Sequence, residues 1–275
     1  MSKLTLEQRI HNALASQTVE EYKARHAYLH GVKHSREEWD VLWLNSPNTT
    51  WAHQFGRMVG YEECYYNSVV HMDANFLKQA ISRMTTDEKM WGHDFLSTGR
   101  SGLHAIASDV IEVAKDGKTA RAFFLTPGTM TASYGSDGLH RASNWVWERY
   151  GSEFAYVDGQ CKWFHEHVCP DLEGQYDVGN WAYDRYEDYV SGKLKIGDLG
   201  GYPDRLTEPG LTHLDYSIIQ TVQDTVPPPL PYDTMDDSHT YSPGRTDPTG
   251  MITVKSAGSQ KMVYDHGDNT LIVKE

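Results

Sequence analysis

The chain has 275 residues, enough for one large domain or one domain with an extension, and its 39% apolar and 23% charged content is ordinary for a globular protein. Aromatic residues reach 12%, which suits a rigid aromatic interior, and a formal charge of −13 repels phosphate backbones and argues against nucleic acid as a partner. Cys64, Cys161 and Cys169 are too few for a disulfide framework, the first residues (MSKLTLEQRI) carry no apolar leader, and no run reaches the roughly 18 apolar residues of a membrane span, so a cytoplasmic protein with reduced thiols and no membrane partner is expected.

Residues 5–32 read as a helix, with Leu6, Ile10, Leu14, Val19, Tyr22, His26 and Leu29 recurring at three- and four-residue steps. Ser35 followed by Glu38 is a capping-box pattern and predicts a second short helix that turns Trp39, Leu42 and Trp43 inward until Asn45-Ser-Pro-Asn48 stops it. Residues 61–82 predict a third helix, with Tyr65, Val69, Met72 and Phe76 on one face. After Gly99-Arg-Ser-Gly102 the period changes to that of strands. Ile106–Ala114 and Thr119–Leu125 form a hairpin about Asp116-Gly117, with Pro127-Gly128 as the stop, and Asn144–Val157 and Cys161–Val168 form another about Asp158-Gly159, ended by Pro170. Helices first and a meander of long antiparallel strands afterwards define an α+β arrangement. Beyond residue 172 the chain changes character. A short helix is expected over Trp181–Gly192, polyproline II over Val226–Pro231, an irregular stretch over 232–250 and a hairpin about Asp265–Asp268. The division is a domain over 1–172 and an aromatic, Pro-rich extension over 173–275 that packs on the core or on a partner subunit.

The stretches HAIASDVIEVAKDGKTARAFFLTPG (104–128) and WVWERYGSEFAYVDGQCKWFHEHV (145–168), with AYLHGVKHSREEWDVLW (27–43) and FGRMVGYE (55–62) upstream, resemble the SnoaL-like family of the nuclear-transport-factor-2-like superfamily. The resemblance covers roughly residues 5–172. It implies a cone-shaped, curved antiparallel sheet wrapped by N-terminal helices, and a pocket at the mouth of the cone. Enzymes of this kind include scytalone dehydratase, bile acid dehydratase and hexachlorocyclohexane dehydrochlorinase. Most work without a cofactor, through an acid–base pair that removes a proton beside a leaving group or carbonyl. His104 falls where the dehydratases place a catalytic His, His34 falls near their partner Asp, and Tyr28 near a functional Tyr. No Asp lies within residues 26–38, and Asp73 or Asp109 could supply a carboxylate from elsewhere. Members often pair through the open face of the sheet, which implies a homo-oligomer (dimer or trimer) with the extension lying across a neighbour.

Read from the residues alone, His104 is either a proton-transfer group, since the reference pKa of histidine lies near working pH, or a pocket-lining or capping imidazole without chemistry. His34, with His30 as its substitute, is either its partner or an exposed turn residue. Trp163, His165 and His167 alternate and share one strand face, opposite Lys162, Phe164 and Glu166. If that face points inward, two imidazoles enter the pocket, and with His104 they could form a three-His metal site. Tyr28 and Tyr65 could donate hydrogen bonds to a developing oxyanion. Trp39, Trp43, Trp147 and His53 complete the expected wall, each equally readable as core. The expectation is therefore a cofactor-independent, metal-free lyase or isomerase acting on a small cyclic, aromatic or phenolic molecule. The alternatives are a non-catalytic small-molecule binding protein of the same fold and a His-ligated metalloenzyme.

Overall fold

The computed structural model describes residues 4–32, 34–54, 56–69, 101–134, 140–175, 206–210, 212–213, 216, 221–249, 261–264 and 271–274. Met72, Phe76, Asp73 and the helix expected over Trp181–Gly192 lie outside the described residues.

Helix α1 runs Leu6–Gly31 and starts in a complete capping box between Thr5 and Gln8, so its first turn has its free N–H groups satisfied by side chains. Its buried stripe is Ala15, Val19, Lys23 and His26, while Leu6, Ile10 and Leu14 are exposed. The expected stripe thus holds only in the second half of the helix. There the face turns by one residue to bring Lys23 inside, and Tyr22 packs at its edge. Helix α2 runs Ser35–Leu42, but the predicted capping box does not form. Glu38 turns inward, as described below. The short strands β1 (Thr50–His53) and β2 (Gly56–Val59) pair as a hairpin that the sequence pattern did not announce, and α3 (Tyr61–Tyr65) follows. At four residues each, these strands are too short for alternation to register.

The main sheet comes next. β3 (Ser101–His104) and β4 (Ala107–Val113) both pair with β5 (Thr119–Tyr134), so they form one course broken at Ala105-Ile106. β5 pairs antiparallel with β6 (His140–Val157), and β6 with β7 (Gln160–Gln175). The Asp158-Gly159 turn has both residues at positive φ, 51° and 76°, as a two-residue hairpin requires. At the first hairpin only Gly117 is left-handed, and the loop is four residues long. Two predicted stops are overrun. β5 continues through Pro127, which sits beside the break between β3 and β4, where its carbonyl accepts Ala105 N–H. β7 continues past Pro170 because an extra residue, Asp171, is inserted opposite Trp147–Glu148. A proline inside a sheet is tolerated at just such irregularities. The sheet is mixed, not wholly antiparallel: β1 joins β7 in parallel. The order is β3-β5-β6-β7-β1-β2-β8, where β8 is Glu208–Pro209, with β4 beside β5. A separate hairpin joins β9 (Lys261–Tyr264) to β10 (Leu271–Lys274).

This is an α+β cone: one curved sheet with α1 and α2 on its inner face. The core there holds Val19, Trp39, Leu42, Trp43, Phe124, Tyr150, Phe154 and Trp163. Residues 221–249 of the chain cover part of the outer face. Tyr232, Tyr241 and Val226 are buried against it, and the carboxylate of Glu153 accepts hydrogen bonds from Thr240 Oγ1 (2.7 Å) and Tyr241 N (2.8 Å). Residues 221–249 of the extension thus lie on the sheet of their own chain. No helix among the described residues is long and apolar enough to cross a membrane.

Candidate active site

Alternation along β6 turns Glu148, Tyr150, Ser152 and Phe154 inward and Gly151, Glu153 and Ala155 outward. Beside the paired Phe154↔Trp163 and Glu153↔His165, β7 carries one extra residue, Phe164. Such a bulge puts two successive side chains on one face and resets the alternation. Trp163 therefore faces in, packed on Trp43 at 5.1 Å between ring centres, whereas Phe164 packs outward with Leu44 and Ala155. His165 also faces out, where Thr50 Oγ1 lies 2.9 Å from Nδ1 and the Arg245 carbonyl 3.0 Å from Nε2. His167 lies outward too, 3.3 Å from Thr212 Oγ1. The expected inward Trp–His–His face does not exist. His165 and His167 stand across the sheet from His104, which also removes the three-His metal site. Among the described residues no group of three or more His, Cys, Asp or Glu could hold a metal ion.

What enters the interior instead is a set of ionisable groups from five elements. Lys23 of α1 is 1% exposed, with its ammonium 4.3–4.6 Å from the ring centres of Trp163, Phe124 and Tyr150. Its Nζ donates to Ser152 Oγ (3.2 Å) and lies 3.6 Å from Glu166 Oε1, and Ser152 in turn donates to Glu166 Oε2 (2.5 Å). Burial pulls the Lys23 amine down to about 8 against the opposing pull of Glu166 and Glu38. Burial likewise raises the Glu166 carboxyl, and Lys23 only partly offsets it.

His104, at the end of β3, joins this set. Its Nδ1 is 3.2 Å from Glu148 Oε2, yet the approach is too far off line to count as a hydrogen bond. The separation is short and both groups are buried, so the two form a close polar contact. Tyr150 Oη donates to the same oxygen at 3.0 Å. Burial alone would raise the Glu148 carboxyl, but the His104 and His53 imidazoles and the Tyr150 hydroxyl together hold it below the usual range. Burial, reinforced by Glu148, pushes the Tyr150 phenol well up, so it stays a donor.

A second carboxylate, Glu38, carries two imidazoles. His26 Nδ1 lies 2.8 Å from Oε1 and His30 Nδ1 3.8 Å from Oε2, and Trp43 Nε1 donates to Oε1 at 3.4 Å. The His26 and His30 rings stack at 5.3 Å, and His30 meets His104 edge to face at 5.9 Å.

Of the residues singled out in the sequence, the structure thus brings together His104, His30 and Trp43, with Trp39 stacked on Trp43 at 4.0 Å. Tyr65 is half-buried beside Tyr61. His53 ends β1, with its ring accepting from Gln54 N–H at 3.0 Å. Tyr28 is 67% exposed and Trp147 45% exposed, so neither is an interior wall. His34 caps α2 half-exposed, paired with Glu37 at 3.1 Å, and the imidazole that α1 presents to His104 is His30. Asp109 is exposed; the interior carboxylates come from Glu38, Glu148 and Glu166. One signal for the missed residues was present. Ala15, Val19, Lys23, His26 and His30 follow one another at helical spacing, and charged residues on the buried face of a helix or strand are rarely accidental.

No protein-family model and no curated protein matches the chain. Among solved structures the chain is similar in fold to nuclear-transport-factor-2-like proteins. A scytalone dehydratase candidate from Novosphingobium aromaticivorans is 12% identical, with TM-score 0.42 over 63% of this chain and 95% of the other. A superfamily member from Salmonella enterica serovar Typhimurium is 18% identical, with TM-score 0.39 over 61% and 97%. Hexachlorocyclohexane dehydrochlorinase LinA-type3 from Novosphingobium barchaimii is 10% identical, with TM-score 0.40 over 62% and 97%.

Proposed function

We propose that this chain is a cofactor-independent acid–base enzyme, a lyase or isomerase, that removes a proton from a small cyclic substrate, aromatic or phenolic in class, held at the inner face of the cone. The observation that carries this reading is the buried His104–Glu148–Tyr150 set. With Nδ1 carrying its proton toward Glu148, His104 keeps the lone pair on Nε2, and the carboxylate stabilises the imidazolium that forms when Nε2 takes a proton. Tyr150 fixes the carboxylate by hydrogen bonding, and Trp39, Trp43 and Trp163 stack one on another in the core beside it. Imperfect alignment of His104 and Glu148 without substrate is ordinary, because such bonds tighten when the site is filled.

The test is turnover of a panel of phenolic and alicyclic carbonyl compounds by the native chain, His104→Ala and Glu148→Gln. His104→Ala should cost about 10²–10⁴ in rate, and Glu148→Gln somewhat less, since it leaves the base in place. Undiminished turnover in His104→Ala would sink the assignment. A second reading, small-molecule binding without turnover, is favoured by the near-complete burial of Lys23 and Glu166, which suits a structural ion pair. Ligand binding with no turnover of any bound compound would decide for it. Self-association remains part of the proposal, but through a surface other than the covered outer face of the sheet; light scattering of the full chain reports it.

A further inference from the structure

We infer that the proline-rich segment Val226–Pro231 is a docking ridge for a partner protein, one with a groove lined by aromatic side chains and rimmed by basic ones. This surface is separate from the interior acid–base set and does not depend on what that set does.

The sequence directs the backbone of this segment before any tertiary contact forms. A proline ring holds φ at about −65°, and a residue followed by proline is kept out of the helical region. Pro227, Pro228, Pro229 and Pro231 fall under the first rule, and Val226, Pro227, Pro228 and Leu230 under the second. Together they direct the segment to polyproline II, which has three residues per turn and so three edges. Burial follows that period. Val226, Pro229 and Tyr232 are buried, whereas Pro227, Pro228, Leu230 and Pro231 are exposed, Leu230 to 76%. One edge lies on the sheet. The other two, Pro227 with Leu230 and Pro228 with Pro231, face solvent.

The buried edge is anchored at both ends. Gly151 admits Val226 and Tyr241 onto β6, since a Cβ there would stand 2.9 Å from Val226 Cγ1 and 3.0 Å from the Tyr241 ring. Tyr241 Oη donates to the Pro227 carbonyl at 2.7 Å. At the other end Lys115 N donates to the Tyr232 carbonyl at 3.2 Å, and the Tyr232 and Thr119 hydroxyls lie 3.0 Å apart. A ridge held in this way is already ordered, so docking it costs little chain entropy. Four of its six residues lack a backbone N–H, so it cannot take up an added strand. What it offers is two adjacent edges with residues at i and i+3, the feature that aromatic-lined grooves grip in proline-rich ligands.

Charge selects the rim of the partner. Asp224 precedes the ridge and Asp233, Asp236 and Asp237 follow it, all exposed. Among the described residues Arg149 lies 4.0 Å from Asp224 and Lys115 pairs with Asp233, so the ends of the ridge stay acidic on a chain of net charge −13. A basic rim complements those ends, whereas a second copy of this chain would set acidic ends against each other.

The test titrates isotope-labelled WW and SH3 domains, whose grooves are of the aromatic type, with the full unlabelled chain and follows the resonances of the groove tryptophans by NMR. Binding by at least one domain is expected, with those resonances shifted. Leu230→Ser and Pro231→Ala should each weaken it about tenfold, as for an anchor residue, and Asp224→Asn about twofold at low salt. These side chains are exposed, so the urea midpoints of the variants should stay native, and either anchor variant alone suffices for the comparison. A synthetic peptide spanning 223–233 serves as the unanchored control. The inference is overturned if no domain binds the chain, if a domain binds the peptide but not the folded chain, or if both anchor variants bind as the native chain does. A fall in mass by light scattering in Leu230→Ser, with no domain bound by the native chain, would assign the ridge to a second copy instead.

Discussion

At the residue scale, the interior is unusual for what it keeps buried. Lys23 and Glu166 are sealed side by side, 1% and 3% exposed at the side chain. Removing one member of such a pair strands the other in a medium that cannot solvate it. Lys23→Met is therefore expected to cost about 3–5 kcal/mol in urea unfolding, because Glu166 and Ser152 lose their cation. Adding Glu166→Gln should recover much of that loss, since two neutral groups of similar volume need no compensating charge. A double-mutant cycle checks the coupling; additive costs would mean that the pair is not a unit. In an α-helix each residue turns the direction by about 100°, so a face assigned one residue out of phase exchanges Tyr22 for Lys23.

At the element scale, the position of His104 depends on how closely β3 approaches β5. His104 pairs with Gly128, and a Cβ there would overlap the Leu103 carbonyl oxygen and stand 3.2 Å from His104 Cα. Both obstructions are backbone, so no side-chain rotation relieves them. Gly128→Ala is expected to push β3 outward, costing about 1–3 kcal/mol in stability and lowering turnover at His104 more than it lowers substrate binding. Urea unfolding together with the split of kcat from KM tests this; a variant with native turnover would show that β3 does not set the base. The bulge at Phe164 is the other deciding element, because one inserted residue moved two histidines from the expected inner face to the outer one.

At the scale of the whole molecule, the covering segment makes stability depend on pH through groups far from the site. Burial drives the His165 and His167 imidazoles down to about 3, whereas in the unfolded chain they titrate near 6.5. The unfolded chain therefore takes up protons first as pH falls. Their stabilising contribution is complete above pH 6.5 and is lost progressively toward pH 3. Glu153 runs the other way. Burial raises it to about 6 despite Thr240, Arg121 and the Tyr241 amide, so between about pH 6 and 4.5 the folded form gains the proton first and is favoured as pH falls. Two imidazoles outweigh one carboxyl, so among these three groups the net effect is acid lability. The urea midpoint is expected to drop between pH 7 and pH 4, and His165→Gln should flatten that drop; a midpoint insensitive to pH in the native chain would contradict it. Burial beneath the covering segment thus does more than fill a surface, since it holds the outer imidazoles in the neutral state.

By itself the sequence determined α1, α2, both Asp-Gly hairpins and the order of the long strands, because helical periodicity and turn chemistry act within a few residues. It also marked His104. What only the tertiary structure decided is which charged groups meet. Glu38, Glu148 and Glu166 are far apart in the chain, and their convergence on Lys23, His26, His30 and His104 depends on the rotation of α1, the break between β3 and β4 and one bulge in β7. Each of these is a shift of a single residue in phase or register. Local propensity barely distinguishes such shifts, whereas packing against a curved sheet distinguishes them sharply, since one choice buries the aromatic stack and the other leaves it in water.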